Sequence, residues 1–179
     1  NNSEEYNGTS WTEGNNLNTA RSAMGSSDQS QTSGLVFGGN SGSVVALNEA
    51  YNGTSWTEVA DLNTGRKTLA GSGASSTSAL AFGGTPPVTA ITESWNGTAW
   101  TEVADLNQAR NNLASSGTQG AALAFGGHPP NLANTEQFDG TSWTEVADLA
   151  TGRRELTGFG TQTSALAVAG NSGSRTAAT

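Results

Sequence analysis

The chain has 179 residues, enough for one domain with a sizeable core, and 34% of them are hydrophobic while 24 are glycine. A formal net charge of −8 with only seven Lys and Arg leaves no basic footprint for nucleic-acid phosphates or an anionic membrane surface. No apolar run approaches the ~18 residues of a spanning helix, no signal-peptide pattern opens the chain, and the lack of cysteine excludes disulfides, thiolate metal sites and cysteine nucleophiles together.

The sequence repeats. Trp-Thr-Glu-Val-Ala-Asp-Leu stands at 56–62, 100–106 and 143–149, with a worn copy at 11–17. The tryptophans Trp11, Trp56, Trp100 and Trp143 are 45, 44 and 43 residues apart. A fixed period of this length marks a repeat architecture, and regular Trp, Phe and Leu argue against disorder despite the low apolar content.

Residues 1–17 read as the end of one unit, with Tyr6, Asn7-Gly8 and Trp11. The unit is clearest from Arg66 onward. Arg66 to Gly73 make a short strand of small residues, and Ser78 to Phe82 a second that closes on Gly83-Gly84. Thr85-Pro86-Pro87 is a loop, because proline donates no ladder hydrogen bond. Val88 to Trp95 form a third strand and Thr98 to Val103 a fourth, joined at Asn96-Gly97.

Asn-Gly between two alternating runs predicts a two-residue type I′ hairpin, recurring at Asn7-Gly8, Asn52-Gly53 and, as Asp139-Gly140, in the last unit. That turn would set Tyr51 opposite Thr54 and Glu49 opposite Trp56, with Tyr51 and Trp56 on one face and Ala46, Ala50, Ser55 and Val59 on the other. In the strand before Gly-Gly, Leu80 and Phe82 point one way and Ala79 and Ala81 the other; Leu123 and Phe125 stand likewise against Ala122 and Ala124. Sheets bulky on one face and small on the other can stack directly on one another.

Each unit therefore holds four short antiparallel strands, A to D, with no helical periodicity. Such units are the signature of a β-propeller. The Gly-His and Trp-Asp dipeptides of WD40 repeats are missing. The pattern Arg66, Leu80, Phe82, Gly83, Gly84, Trp95 and Trp100, repeated as Arg21, Phe37, Gly38, Gly39, Tyr51 and Trp56 and as Arg110, Phe125, Gly126, Gly127, Phe138 and Trp143, resembles Kelch repeats. The present repeat is shorter, its turn is tighter, and Ala169-Gly170 replaces the last Gly-Gly.

The chain ends imply closure. Gly39-Asn40-Ser41-Gly42-Ser43 recurs as Gly170-Asn171-Ser172-Gly173-Ser174, and continuing the alignment places Thr179 on Asn48, so that Glu4 follows as the match to Glu49. The expected architecture is all-β: a single four-bladed propeller domain over 1–179, of four ~44-residue repeats, its closing blade shared by 1–17 and 152–179. Strands A and B of that blade would come from the C-terminal stretch and D from the N-terminal one, with C supplied by either. The inner strands Leu69–Gly73, Leu113–Gly117 and Leu156–Gly160, dominated by small residues, suit a narrow axis. The expected state is a monomeric ring; a strand-exchanged eight-bladed dimer or a head-to-tail assembly is the alternative.

The side chains that could carry chemistry mostly read as structural. Arg21, Arg66, Arg110 and Arg153 are expected to tie carboxylates or loop carbonyls near Asp61, Asp105 and Asp148 and to hold adjacent blades. Glu13, Glu58, Glu102 and Glu145 occupy identical outer-strand positions, where no single pair stands out for glycoside hydrolysis. Asp139-Gly140-Thr141-Ser142-Trp143 resembles the Asp-box of sialidases but lacks the residue between Asp and Gly, and only Tyr6 and Tyr51 exist as tyrosine nucleophiles. His128, the only histidine, makes a poor metal site alone, and no Gly-x-Ser-x-Gly elbow accompanies it. A galactose-oxidase-type centre needs a cysteine. The Asn-Gly-Thr sequons at Asn7, Asn52 and Asn96 follow from the turn itself.

No catalytic residue, metal or cofactor is implied. The B–C loops vary from unit to unit, and binding usually lives on loops of a rigid scaffold. The candidate ligand-binding residues are Asn40, Ser41, Thr85, His128, Asn131 and Asn171. The expected function is a non-enzymatic binding or structural module for a protein or glycan surface, without nucleic-acid binding or membrane insertion. Richness in Asn, Thr, Gly and Ser with few Lys resembles repeat segments of phage and marine-virus structural or tail-associated proteins, which implies an extracellular or virion-associated location. A glycan-active propeller enzyme and an artificial consensus repeat protein are the alternatives.

Overall fold

A computed structural model describes residues 2–27 and 30–173. Every described element is a strand. The first sheet has two, β1 (Glu4–Tyr6) and β2 (Trp11–Glu13). Three four-stranded antiparallel meanders follow. These are β3 (Gly25–Ser27), β4 (Gly34–Phe37), β5 (Asn48–Tyr51) and β6 (Trp56–Val59); then β7 (Ala70–Ser75), β8 (Ser78–Phe82), β9 (Thr92–Trp95) and β10 (Trp100–Val103). The third comprises β11 (Ala114–Thr118), β12 (Ala121–Phe125), β13 (Thr135–Phe138) and β14 (Trp143–Val146). The last sheet again has two strands, β15 (Thr157–Thr161) and β16 (Ser164–Val168).

The hairpin at Asn-Gly differs from the sequence expectation. Tyr51 lies opposite Trp56 and Glu49 opposite Glu58, so four residues, 52–55, form the loop, and Ser55 belongs to the turn. Only Gly53 takes a positive φ there, 90°. The physical reason is the asparagine side chain. Its Oδ1 accepts the backbone N–H of Thr54 and of Ser55, both at 2.9 Å, which satisfies two donors that a two-residue turn would have paired within the ladder. Asp139 does the same for Thr141 and Ser142, each at 2.8 Å. The wider loop still leaves the two aromatics packed together, with ring centroids 4.9 Å apart and planes tilted by 35°.

Packing between sheets follows the bulky and small rows. Leu35 and Phe37 cluster with Ala79 and Ala81 of the next sheet, and Leu80 and Phe82 with Ala122 and Ala124 of the one after. Trp100 stacks on Trp95 of its own sheet at 5.4 Å and meets the edge of Phe37 from the preceding sheet at 5.0 Å. Trp143 does likewise with Phe138 and Phe82. Each such pair contributes about 0.5–1.5 kcal/mol beyond its buried area. Glutamines bolt the sheets together: Gln119 Nε2 donates to the carbonyls of Ala79 and Trp95, and Gln162 Nε2 to those of Ala122 and Phe138.

The inner strands are joined in series. β3 packs on β7, β7 on β11 and β11 on β15. Thr68 N–H donates to the Ala23 carbonyl at 2.8 Å, Asn112 to Thr68 and Glu155 to Asn112 at 2.9 Å. Equivalent residues of all four inner strands, including Ser26, Gly71, Ser115 and Gly158, line one depression of about 230 Å³. The sheet expected to unite both chain ends is present as two separate halves, and among the described residues no ladder joins β1 to β16. Residues 174–179, including the Thr179 aligned on Asn48, lie outside the described residues.

Two residues set the last sheet apart from the other three. Gly83 and Gly126 each face the next arginine's carbonyl, where a Cβ would lie 2.6 Å from the oxygen; Ala169 stands at the equivalent position. Ser27, Ser72 and Ser116 each hydrogen-bond a carbonyl of the following inner strand; Phe159 stands there instead. Both substitutions add bulk at positions that in the other units meet the following sheet.

Candidate binding face and its supporting ion pairs

Arg21, Arg66 and Arg110 are buried and Arg153 is half-buried, but the partners of the first three are not the expected aspartates. Arg66 Nη2 lies 3.2 Å from Glu93 Oε1 and Arg110 Nη2 lies 2.7 Å from Glu136 Oε1, while Arg21 Nη1 pairs with Glu49. All are pairs between the start of strand A and the middle of strand C in one sheet. Asp61, Asp105 and Asp148 instead accept the backbone N–H of Asn48, Thr92 and Thr135. The meander explains the difference, since it lays strand C beside strand B, over which the guanidinium reaches. Asn18, Asn63 and Asn107 from the preceding unit donate to the second carboxylate oxygen, so each glutamate also ties two sheets together.

Burial opposes ionisation of Glu49, but the Asn18 N–H, the Arg21 hydrogen bond and charge, and the Asn18 amide outweigh it and hold its carboxyl below the usual value. Burial pushes the guanidiniums of Arg66 and Arg110 below the ordinary arginine value, against the pull of Glu93 and Glu136. Tyr51 donates to Glu5, and that hydrogen bond raises its phenol. Asp139 is lowered by the turn N–H groups of Ser142 and Thr141. Glu13, Glu58, Glu102 and Glu145 are all exposed.

Asn40, Thr85, His128 and Asn171 occupy one equivalent station per unit, each bridged through its backbone to the residue after the arginine: Ser22, Lys67, Asn111 and Arg154. Asn131 and Ser41 sit further along the same loops. These stations recur at equivalent backbone positions, and neither depression at the inner strands is lined by any of the sequence-predicted residues.

Sequence reasoning missed the residues that do converge. Ala23, Thr68, Asn112 and Glu155 line one depression with Met24, Leu69, Leu113 and Leu156, at the start of the inner strands and hence beside the B–C loops. All four adopt positive φ, between 52° and 56°, a conformation that costs a non-glycine residue about 1–2 kcal/mol. Backbone strain of this kind persists only where surrounding structure holds it, here the chain of N–H to carbonyl bonds from Ala23 to Glu155. The signal was available in Arg-Ser-Ala-Met, Arg-Lys-Thr-Leu, Arg-Asn-Asn-Leu and Arg-Arg-Glu-Leu: a variable pair inside an otherwise uniform stretch. No protein-family model matches the chain, and no curated protein matches it in sequence. The face offers hydroxyl, amide and imidazole groups together with Lys67, Arg154 and Glu155, and among the described residues no three His, Asp or Glu side chains gather as a metal site would require.

Proposed function

We propose that the chain is a Kelch-like four-bladed β-propeller, its last blade combining N-terminal and C-terminal strands of one copy or of two, that acts as a non-enzymatic binding module. Its ligand is a glycan or protein surface on the outside of a virion or cell, as in phage structural and tail-associated proteins. The observation that carries the reading is the quartet Ala23, Thr68, Asn112 and Glu155. The backbone conformation is constant across these four positions while the side chain changes. A scaffold that repeats its backbone and varies its rim displays chemistry; it does not need that variation for stability. Asn40, Ser41, Thr85, His128, Asn131 and Asn171 extend the same rim outward, and neutral amides and hydroxyls suit carbohydrate hydroxyl groups.

The reading is tested with a glycan array on the wild-type protein and on Asn112→Ala, His128→Ala and Asn131→Ala. The expected outcome is selective binding that falls tenfold or more in the variants, equivalent to about 1.4 kcal/mol. Binding unaffected by all three substitutions would move the ligand elsewhere. Turnover of a glycan would overturn the non-enzymatic reading.

A further inference from the structure

We infer that the β1–β2 sheet of one copy completes the β15–β16 sheet of a second copy, edge to edge, so that the chain associates head to tail. This rests on the reading that the two terminal sheets are halves of one four-stranded unit.

Each half lacks what the other carries. In complete units the A-strand arginine pairs with the C-strand glutamate. Arg153 has no carboxylate partner among the described residues and its Nη2 donates to the Ala167 carbonyl of strand B, while Glu4, the match to Glu49, is exposed. Gln119 and Gln162 each reach two carbonyls, one on strand B and one on strand C of the preceding sheet. Among the described residues Gln31 reaches one carbonyl, that of Tyr6 on the C-like strand β1; the second acceptor corresponds to the carbonyl of Ala165. The register of β8 on β9 pairs Ala79 with Trp95 and Ala81 with Glu93. Carried over, Ala165 faces Tyr6 and Ala167 faces Glu4, which brings Glu4 to Arg153.

The apolar surfaces agree. Trp11 is 66% exposed and Leu166 60%, whereas their counterparts Trp143 and Leu80 are 6% and 0%. The stacking rows are matched in volume as well. The last sheet presents Leu166 and the smaller Val168 where the others present Leu and Phe, and β4 presents Val36 where the others present alanine. Among the described residues the outer edges of β16 and β1 carry no partner strand, and such edges are templates for strand addition.

A second copy, rather than the chain's own opposite end, is the occupant because of Phe159 and Ala169. A ring fixes the position of its last joint through the other three, and these two residues add bulk at that joint. Two separate copies can shift relative to one another to make the room that the extra atoms need. Among the described residues the chain's own halves stand unpaired.

The test is a charge exchange read by sedimentation velocity and light scattering. Wild-type protein is expected to gain mass with concentration, and Glu4→Arg and Arg153→Glu each to remain monomeric. Mixing the two variants restores assembly, because one then carries arginine at both stations and the other glutamate at both, so that alternating copies pair opposite charges at every joint. Wild-type protein that stays monomeric at every concentration overturns the inference. A double variant that is more stable than either single, and monomeric, while the mixture stays dissociated, also overturns it but keeps the half-unit reading, since the joint then closes within one chain. Single variants indistinguishable from wild type in mass and stability overturn both.

Discussion

At Gly126 the backbone turns through φ = 68°, and a Cβ would stand 2.6 Å from the Arg153 carbonyl oxygen. The neighbouring Gly127 N–H donates to that same oxygen at 2.9 Å, so the approach is part of the joint between sheets. Gly126→Ala is expected to cost about 2–4 kcal/mol, from left-handed strain and overpacking together. For a chain of this size that is a fall in melting temperature of about 5–15 °C, measurable by circular dichroism. Ala169, with φ = 57° at the matching position, is the natural control. Ala169→Gly is expected to raise stability by about 1 kcal/mol and to strengthen head-to-tail association. Equal melting temperatures for Gly126→Ala and wild type would mean that the carbonyl yields freely and the glycine is not required.

At the scale of the element, each four-stranded sheet is pinned by an arginine and a glutamate that the meander brings together. Arg21 and Glu49 are 28 residues apart in the chain. Removing one partner of such a buried pair typically costs about 3–5 kcal/mol, because the other charge is left unpaired. Glu49 also ties stability to pH. Its carboxyl sits below the ordinary value in the folded protein, so the unfolded chain takes up the proton first as pH falls. The stabilisation is complete above the unfolded value, near 4.5, and is lost as pH drops through the folded one. Urea midpoints measured from neutral pH into this acid window should fall steeply for wild type and less steeply for Glu49→Gln, which starts from a lower plateau. A slope that the substitution leaves unchanged would assign the acid lability to other carboxylates. The repeat spacing is enough to mark the arginines as structural anchors, but it points to the aspartates as their partners, which the structure corrects. The glutamates were legible as Glu4, Glu49, Glu93 and Glu136 recurring once per unit; only the strand order shows that they lie within reach.

At the scale of the molecule, the units contact their neighbours in series, so stability is distributed as in a one-dimensional array. The middle sheet, with Ala79, Leu80, Ala81 and Phe82 fully buried, has a neighbour on either side. Among the described residues β1–β2 and β15–β16 each have one. Hydrogen exchange in dilute solution is expected to be slowest at β8 and β12 and fastest in the two terminal sheets, with protection of the ends rising as concentration drives association. Uniform protection from end to end would mean that the joints are as strong as the sheets and that the array unfolds as one body.

The sequence by itself determined the period, the all-β character, the four-strand unit and the stacking of bulky rows on alanine rows, because these follow from spacing and alternation that act within a few residues. It also carried the two departures at the last joint, Phe159 and Ala169, in plain letters. Tertiary structure alone decided the rest. The Asn-Gly loops widened to four residues because the asparagine side chain caps two backbone donors there. Ala23, Thr68, Asn112 and Glu155 converged because hydrogen bonds between successive inner strands hold each of them at positive φ. Which carboxylate meets which arginine depends on strands brought together across 26 to 28 residues, a distance over which local pattern carries no information.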